Sequence, residues 1–200
     1  MHKLRLLPLA VAAMLAVTPF AHAATGSVVL SQVFAGGGNS GAPYANDFVE
    51  LLNRGSTAVD VSGWTVQYAP ATSTSWSATT LTGSIQPGRY YLVQLASSAA
   101  VGAALPAPDA TGTTNLANTG GKIALVHDGT ALACGATAGT CSAAASVEDL
   151  VGYGGASDYE GSAPAPALSA TTALLRDANG CTDTGANDSD FSTAAPAPRN

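Results

Sequence analysis

The sequence predicts an all-β protein, a sandwich of two packed antiparallel sheets. Three observations carry this. Short apolar runs recur along the chain with turn signals between them. Apolar and polar residues alternate within several of these runs, which gives each strand one buried and one wet face. The composition is rich in Ala, Gly, Ser and Thr and poor in Lys and Glu, so strong helix formers are scarce and turn formers abundant.

The elements follow in order. VVLSQVF, residues 28–34, reads as a first strand. DFVELLN, residues 47–53, reads as a second, with Phe48, Glu50 and Leu52 on one side and Val49 and Leu51 on the other. Asn53-Arg54-Gly55 turns the chain into VDVSGWTVQYA around Trp64. TSWSATTLTGSI, IQPGRYYLVQL, GKIALVHDG and VEDLVGYG are further strands, with Pro-Gly and Asp-Gly at two of the turns. TALLRD is the last full strand, and DFST adds an edge. Residues 96–114, with Pro106 and Pro108, read as loop, and the chain beyond Gly161 is Pro/Ala-rich. Seven or more short strands without a convincing helix make a sandwich or a barrel, and the alternation favours the sandwich.

Residues 1–23 read as a secretory signal peptide. Lys3 and Arg5 open it, an apolar stretch follows, and Ala21-His22-Ala23 supplies a small-x-small cleavage site after Ala23. The apolar run is short and broken by Pro8 and Pro19, which argues against a membrane anchor. The expected product is one domain, residues 24–200, secreted or periplasmic. In it Arg54, Arg89, Lys122, Arg176 and Arg199 face thirteen carboxylates, a formal charge of −8. So acidic a chain repels polyanions, and strong direct nucleic-acid binding is disfavoured. Export permits disulfides, and Cys134 and Cys141, bracketing CGATAGTC, are the natural pair. Cys181 is left free or available to another chain.

Candidate chemistry is sparse. AGGGNSGAPYANDF has the glycines of a phosphate loop but no lysine, and a strand pattern follows it, so it reads as a connection between strands. His127 is the only histidine beyond the leader; it precedes an Asp-Gly turn, and no G-x-S-x-G elbow is present. Glu50, Glu148 or Glu160 could join an aspartate in a glycosidase-type pair, but no spacing selects one. No catalytic residues are assigned, and the chain is not expected to be an enzyme. GCTDTGANDSDF places Asp183, Asn187, Asp188 and Asp190 on one loop. Calcium takes such hard oxygens and is the candidate cofactor; turn formation by the same side chains is the competing explanation. Trp64 reads as core, whereas Trp76, in polar STSWSAT, reads as a surface stacking platform. Glu50 shares a face with apolar neighbours and should be paired, with Arg54, Arg89 or Arg176 as partner.

Taken in order, these segments resemble the lamin tail domain family in its exported bacterial form. VVLSQVFAGGGNSGAPYANDFVELLNRGSTAVDVSGWTVQYA is similar to that family's opening strands, in which Asp47, Glu50, Asn53 and Trp64 are fold markers. IQPGRYYLVQ, LANTGGKIALVHDG, VEDLVGYG and GCTDTGANDSDF match its later segments, over nearly the whole chain beyond the leader. The resemblance implies an immunoglobulin-like β-sandwich. Such domains stand in bacteria beside endonuclease/exonuclease/phosphatase-type catalytic domains. That catalytic fold needs a far larger set of His, Asp, Asn and Glu than this chain holds, so nuclease activity is not carried over. Two functions remain: a non-catalytic module binding a protein or extracellular polymer, or an accessory of a nuclease system meeting DNA or the enzyme in trans, with calcium as a bridge.

Overall fold

A computed structural model describes residues 26–200; the leader and its cleavage site lie outside the described residues. The strands form where the alternation placed them. β1 (Val28–Phe34), β2 (Phe48–Asn53), β3 (Val59–Asp60), β4 (Thr65–Pro70), β5 (Ser77–Thr80), β6 (Ser84–Ile85) and β7 (Tyr90–Gln94) make the first half. β8 (Ala110–Thr111), β9 (Gly120–Val126), β10 (Val147–Gly154), β11 (Ala173–Arg176), a single helical turn α1 (Asn187–Asp190) and β12 (Phe191–Ala194) complete the chain.

Six strands in the order β12-β11-β1-β2-β7-β8 make one sheet, four in the order β10-β9-β4-β5 make the other, and β3 pairs with β6 in a small ribbon. Pairing is antiparallel except where β8 runs parallel to β7. Because β1 is central, it meets β2 on one side and β11, from the far end of the chain, on the other. The main core lies between the sheets: Leu30, Val49, Leu51 and Val93 face Val66, Ile123, Leu125 and Val151. Each such side chain contributes roughly 1.5–3 kcal/mol by leaving water.

Besides the division of VDVSGWTVQYA into β3 and β4 and of TSWSATTLTGSI into β5 and β6, three details depart from the sequence reading. Residues 96–114 contain β8, too short to show a period. GCTDTGANDSDF contains α1, whose polar residues mask one turn of helix. The third concerns the expected wet faces: every residue of β1 and β2 is buried. The outer face of the six-stranded sheet carries its own apolar cluster of Phe34, Ala42, Phe48, Leu92 and Ala173. Ala69, Trp76, Ala124, Val126, Cys141 and Leu150 form a third cluster on the four-stranded sheet.

The glycine run between β1 and β2 is a crossing of backbones. A side chain at Gly37 would collide with the backbone of Asn46 and Asp47, and Gly38 has φ of +72° with the Ala99 backbone against it. Only glycine fits such approaches.

Candidate functional site

Polar side chains on the two outer faces hold down the segments that roof them. On the four-stranded sheet the roof is residues 132–146. Cys134 and Cys141 form a disulfide with Cα atoms 5.3 Å apart. Beneath it Lys122 on β9 is fully buried, and its Nζ donates to the carbonyls of Ser73 (2.6 Å) and Gly135 (2.7 Å) and to Ser157 Oγ (3.2 Å). Burial pulls the Lys122 ammonium below the usual lysine range, and nearby Asp158 opposes this. Asp158, also fully buried, accepts from the Gly139 and Cys141 amides (2.6 and 2.8 Å) and from Thr140 Oγ1 (3.0 Å).

On the six-stranded sheet the roof is the C-terminal segment, residues 195–200. Gln32 on β1 exchanges two hydrogen bonds with the Ala197 backbone (3.0 and 2.8 Å). Two residues on, the Arg199 amide donates to Glu50 Oε2 at 2.7 Å. The guanidinium adds bonds to both carboxylate oxygens, Nη2 to Oε1 at 2.8 Å and Nε to Oε2 at 3.2 Å. It also lies 3.8 Å from the centre of the Tyr90 ring, and Nη1 donates to the Tyr90 hydroxyl at 2.8 Å. Ser31 Oγ donates to Glu50 Oε1 at 2.6 Å, so the carboxylate, with no exposure, is fully satisfied. Glu50 is thus paired, as its apolar neighbours require, but with Arg199. Arg54 and Arg176 are engaged elsewhere, and Arg89 lies in the exposed turn before β7.

A third polar knot ties β10 and β11 to the acidic loop. Arg176, buried, reaches Asp149 Oδ2 at 2.6 Å, Asp183 Oδ1 at 3.1 Å and the Leu30 carbonyl at 2.8 Å. Arg54 holds the other oxygen of Asp183 at 2.8 Å. Asp149 Oδ2 accepts from the Leu30 amide, whereas its Oδ1 has no hydrogen-bond partner among the described residues. Oxygens of Asp149, Glu160 and Asp183 lie within 4.8 Å of one another. Burial, aided by Asp149 and Asp183, pushes the Glu160 carboxyl up to about 9.

The four candidate calcium ligands do not converge. Asp183 is held by two arginines. Asn187 accepts from the Gly152 and Glu160 amides and donates to the Leu150 carbonyl. Asp190 caps Thr184 through its amide (2.8 Å) and hydroxyl (2.7 Å), and Asp188 meets only Ser162, at the surface. Trp76 departs from the surface place expected of it, whereas Trp64 packs against the core, as expected, but only at its rim. Trp76 is 7% exposed, packed under the disulfide loop with Nε1 donating to the Cys134 carbonyl at 3.0 Å. Its polar neighbours report the outward side of β5; the cover comes from residues some sixty positions later. Trp64 is half-buried at the core's rim, with its ring centroid 4.4 Å from that of exposed His127. His127 in turn meets Glu148 at 2.7 Å.

The fold markers are structural. Asp47 accepts from the Gly37 and Leu116 amides, both at 2.8 Å, and burial raises its pKa to about 6. Asn53 bonds the Thr57 and Ile85 carbonyls and the Gly55 amide, fixing the turn after β2. Cys181 is exposed and free within the chain. The sequence reading missed Lys122, Asp158, Asp149 and Arg199. Lys122 carried a signal, alternating with Ala124 and Val126 inside an apolar strand; Arg199, in a Pro/Ala tail, carried none.

A nearly all-β chain whose polar groups serve as ties defines an immunoglobulin-like β-sandwich module. The Lamin Tail Domain family model matches residues 21–182, and the chain belongs to that family. No curated protein matches it. Lamin tail domains are non-catalytic, which fits the use made of the carboxylates here. Among the described residues no helix is long and apolar enough to cross a membrane.

Proposed function

We propose that the protein is an exported, non-catalytic module that binds a macromolecular partner, a protein or an extracellular polymer. One observation supports this above others: the charged side chains that catalysis could have used, Glu50, Asp149, Asp158, Glu160 and Asp183, are engaged in or packed among ties that hold the sandwich. The exposed surface includes polar loops and the edge strands β5 and β12, the features through which sandwiches meet partners. Export, with cleavage after Ala23, fits the leader and the Cys134–Cys141 disulfide, which persists in an oxidising compartment.

The experiment is co-sedimentation of residues 24–200 with cell-envelope polymer and with envelope proteins, beside a DNA-cleavage assay with added divalent metals. Saturable retention is expected. Metal-dependent DNA cleavage by the purified chain would overturn the non-catalytic assignment. The alternative, an accessory of a nuclease system acting in trans, predicts a DNA mobility shift dependent on calcium or on the nuclease. The formal charge of −8 beyond the leader and the engagement of Asp183 and Asn187 favour the first reading.

A further inference from the structure

The contacts of the C-terminal segment are those of a peptide in a receptor. Gln32 reads the backbone at Ala197 through both donor and acceptor, as a neighbouring strand would. Glu50 reads the backbone amide of Arg199 and, with the fork of the guanidinium, its side chain. Tyr90 supplies a ring face and a hydroxyl acceptor, so the arginine is met from three directions. Pro196 and Pro198 keep the occupant extended at low entropic cost. The grip is confined to one flank. A cavity of about 580 Å³ opens between the segment and Leu175, Asn179 and Ser192. Arg199 itself keeps 31% of its side chain in solvent.

We infer that Gln32, Glu50 and Tyr90 form a recognition site for an extended Pro-Arg segment of a partner protein, occupied in cis by this chain's own residues 195–200. The inference rests on the binding-module reading and names the chemistry of the partner: a cationic, extended stretch with arginine two residues beyond the backbone clamp. The net negative charge of the chain and the buried Glu50 carboxylate favour such a ligand. The tethered tail acts as a competitor at high effective concentration, so the site opens only to a partner that displaces it.

The test uses a fluorescent peptide, Ala-Pro-Ala-Pro-Arg-Asn, and fluorescence anisotropy. The full chain with Arg199→Ala and a chain ending at Ala194 should both bind it, at least about tenfold more tightly than the unaltered chain. Replacing the peptide's arginine by lysine, or adding Glu50→Gln to the Arg199→Ala chain, should weaken binding by about tenfold or more, because the forked, stacked contact is lost. If both altered chains fail to fold, hydrogen exchange on the unaltered chain decides: excess peptide should speed exchange of the Arg199 amide. No binding by folded chains, binding indifferent to Glu50, or unchanged exchange overturns the site. Dimers of the unaltered chain that the peptide dissolves would overturn the partner assignment in favour of tail exchange between copies. Envelope co-sedimentation that survives loss of peptide binding would sink this site and leave the module reading standing.

Discussion

The two outer faces of the sandwich are roofed in opposite ways. On the four-stranded sheet an internal loop is closed on itself by Cys134–Cys141 and pinned by two buried charges, Lys122 and Asp158. On the six-stranded sheet residues 195–200 lie across the strands, held by one carboxylate, one amide and one ring. Both roofs rest on fully buried side chains, but the first is closed by a disulfide, whereas the second has no covalent closure and keeps Arg199 partly in water. The first is therefore a permanent part of the core, whereas the second can leave without exposing an unpaired charge to anything but solvent, where Glu50 is readily hydrated.

Breaking the permanent roof should cost most. Asp158→Ala strands the Gly139 and Cys141 amides in a buried site, and denaturant melts should show a loss of about 3 kcal/mol. Next comes a pH effect at Asp47, which two backbone amides hold at the start of β2. Asp47 has its pKa raised from 3.8 to about 6, so the stability it lends is full below pH 4 and lost as pH rises to 6. The cost of Asp47→Asn, measured by melts across that range, should therefore shrink by about 2–3 kcal/mol between pH 4 and pH 7. Reducing the disulfide, or Cys134→Ser with Cys141→Ser, should cost about 2 kcal/mol, since the closed loop is short. Glu50→Ala, which removes the buried acceptor of the Arg199 and Ser31 hydrogen bonds but leaves the Arg199 guanidinium able to reach water, should cost about 2 kcal/mol, read as a lower melting temperature. If Glu50→Ala proves costlier than Asp158→Ala, the contrast between permanent and removable roofs is wrong.

The strands were legible because burial between two sheets imposes a period of two on neighbouring residues, and VVLSQVF and FVELLN carry it plainly. Turn dipeptides did the rest. The roofs were illegible for the converse reason: residues 132–146 and 195–200 are small, proline-rich or polar, and no local period says which surface they will cover. Trp76 shows the consequence. Its neighbours are exposed in β5, and only the arrival of Cys134 makes it core. The candidate site suffered similarly. Glu50 announced a partner through Phe48 and Leu52, but Arg199 lies 149 positions away, and closer arginines were equally eligible.

The place of β1 at the middle of the six-stranded sheet sets the order in which the molecule can be assembled. Its first neighbour, β2, follows at once, but the other side waits for β11, and its Gln32 waits for Ala197, 165 residues on. Closing so long a loop costs only a few kcal/mol of entropy, but it must be met before the long-range contacts form, and this slows folding. Until β11 docks, an apolar strand presents a bare hydrogen-bonding edge, the template on which chains aggregate. Any fragment ending before Ala173 should therefore precipitate rather than persist as a smaller sandwich.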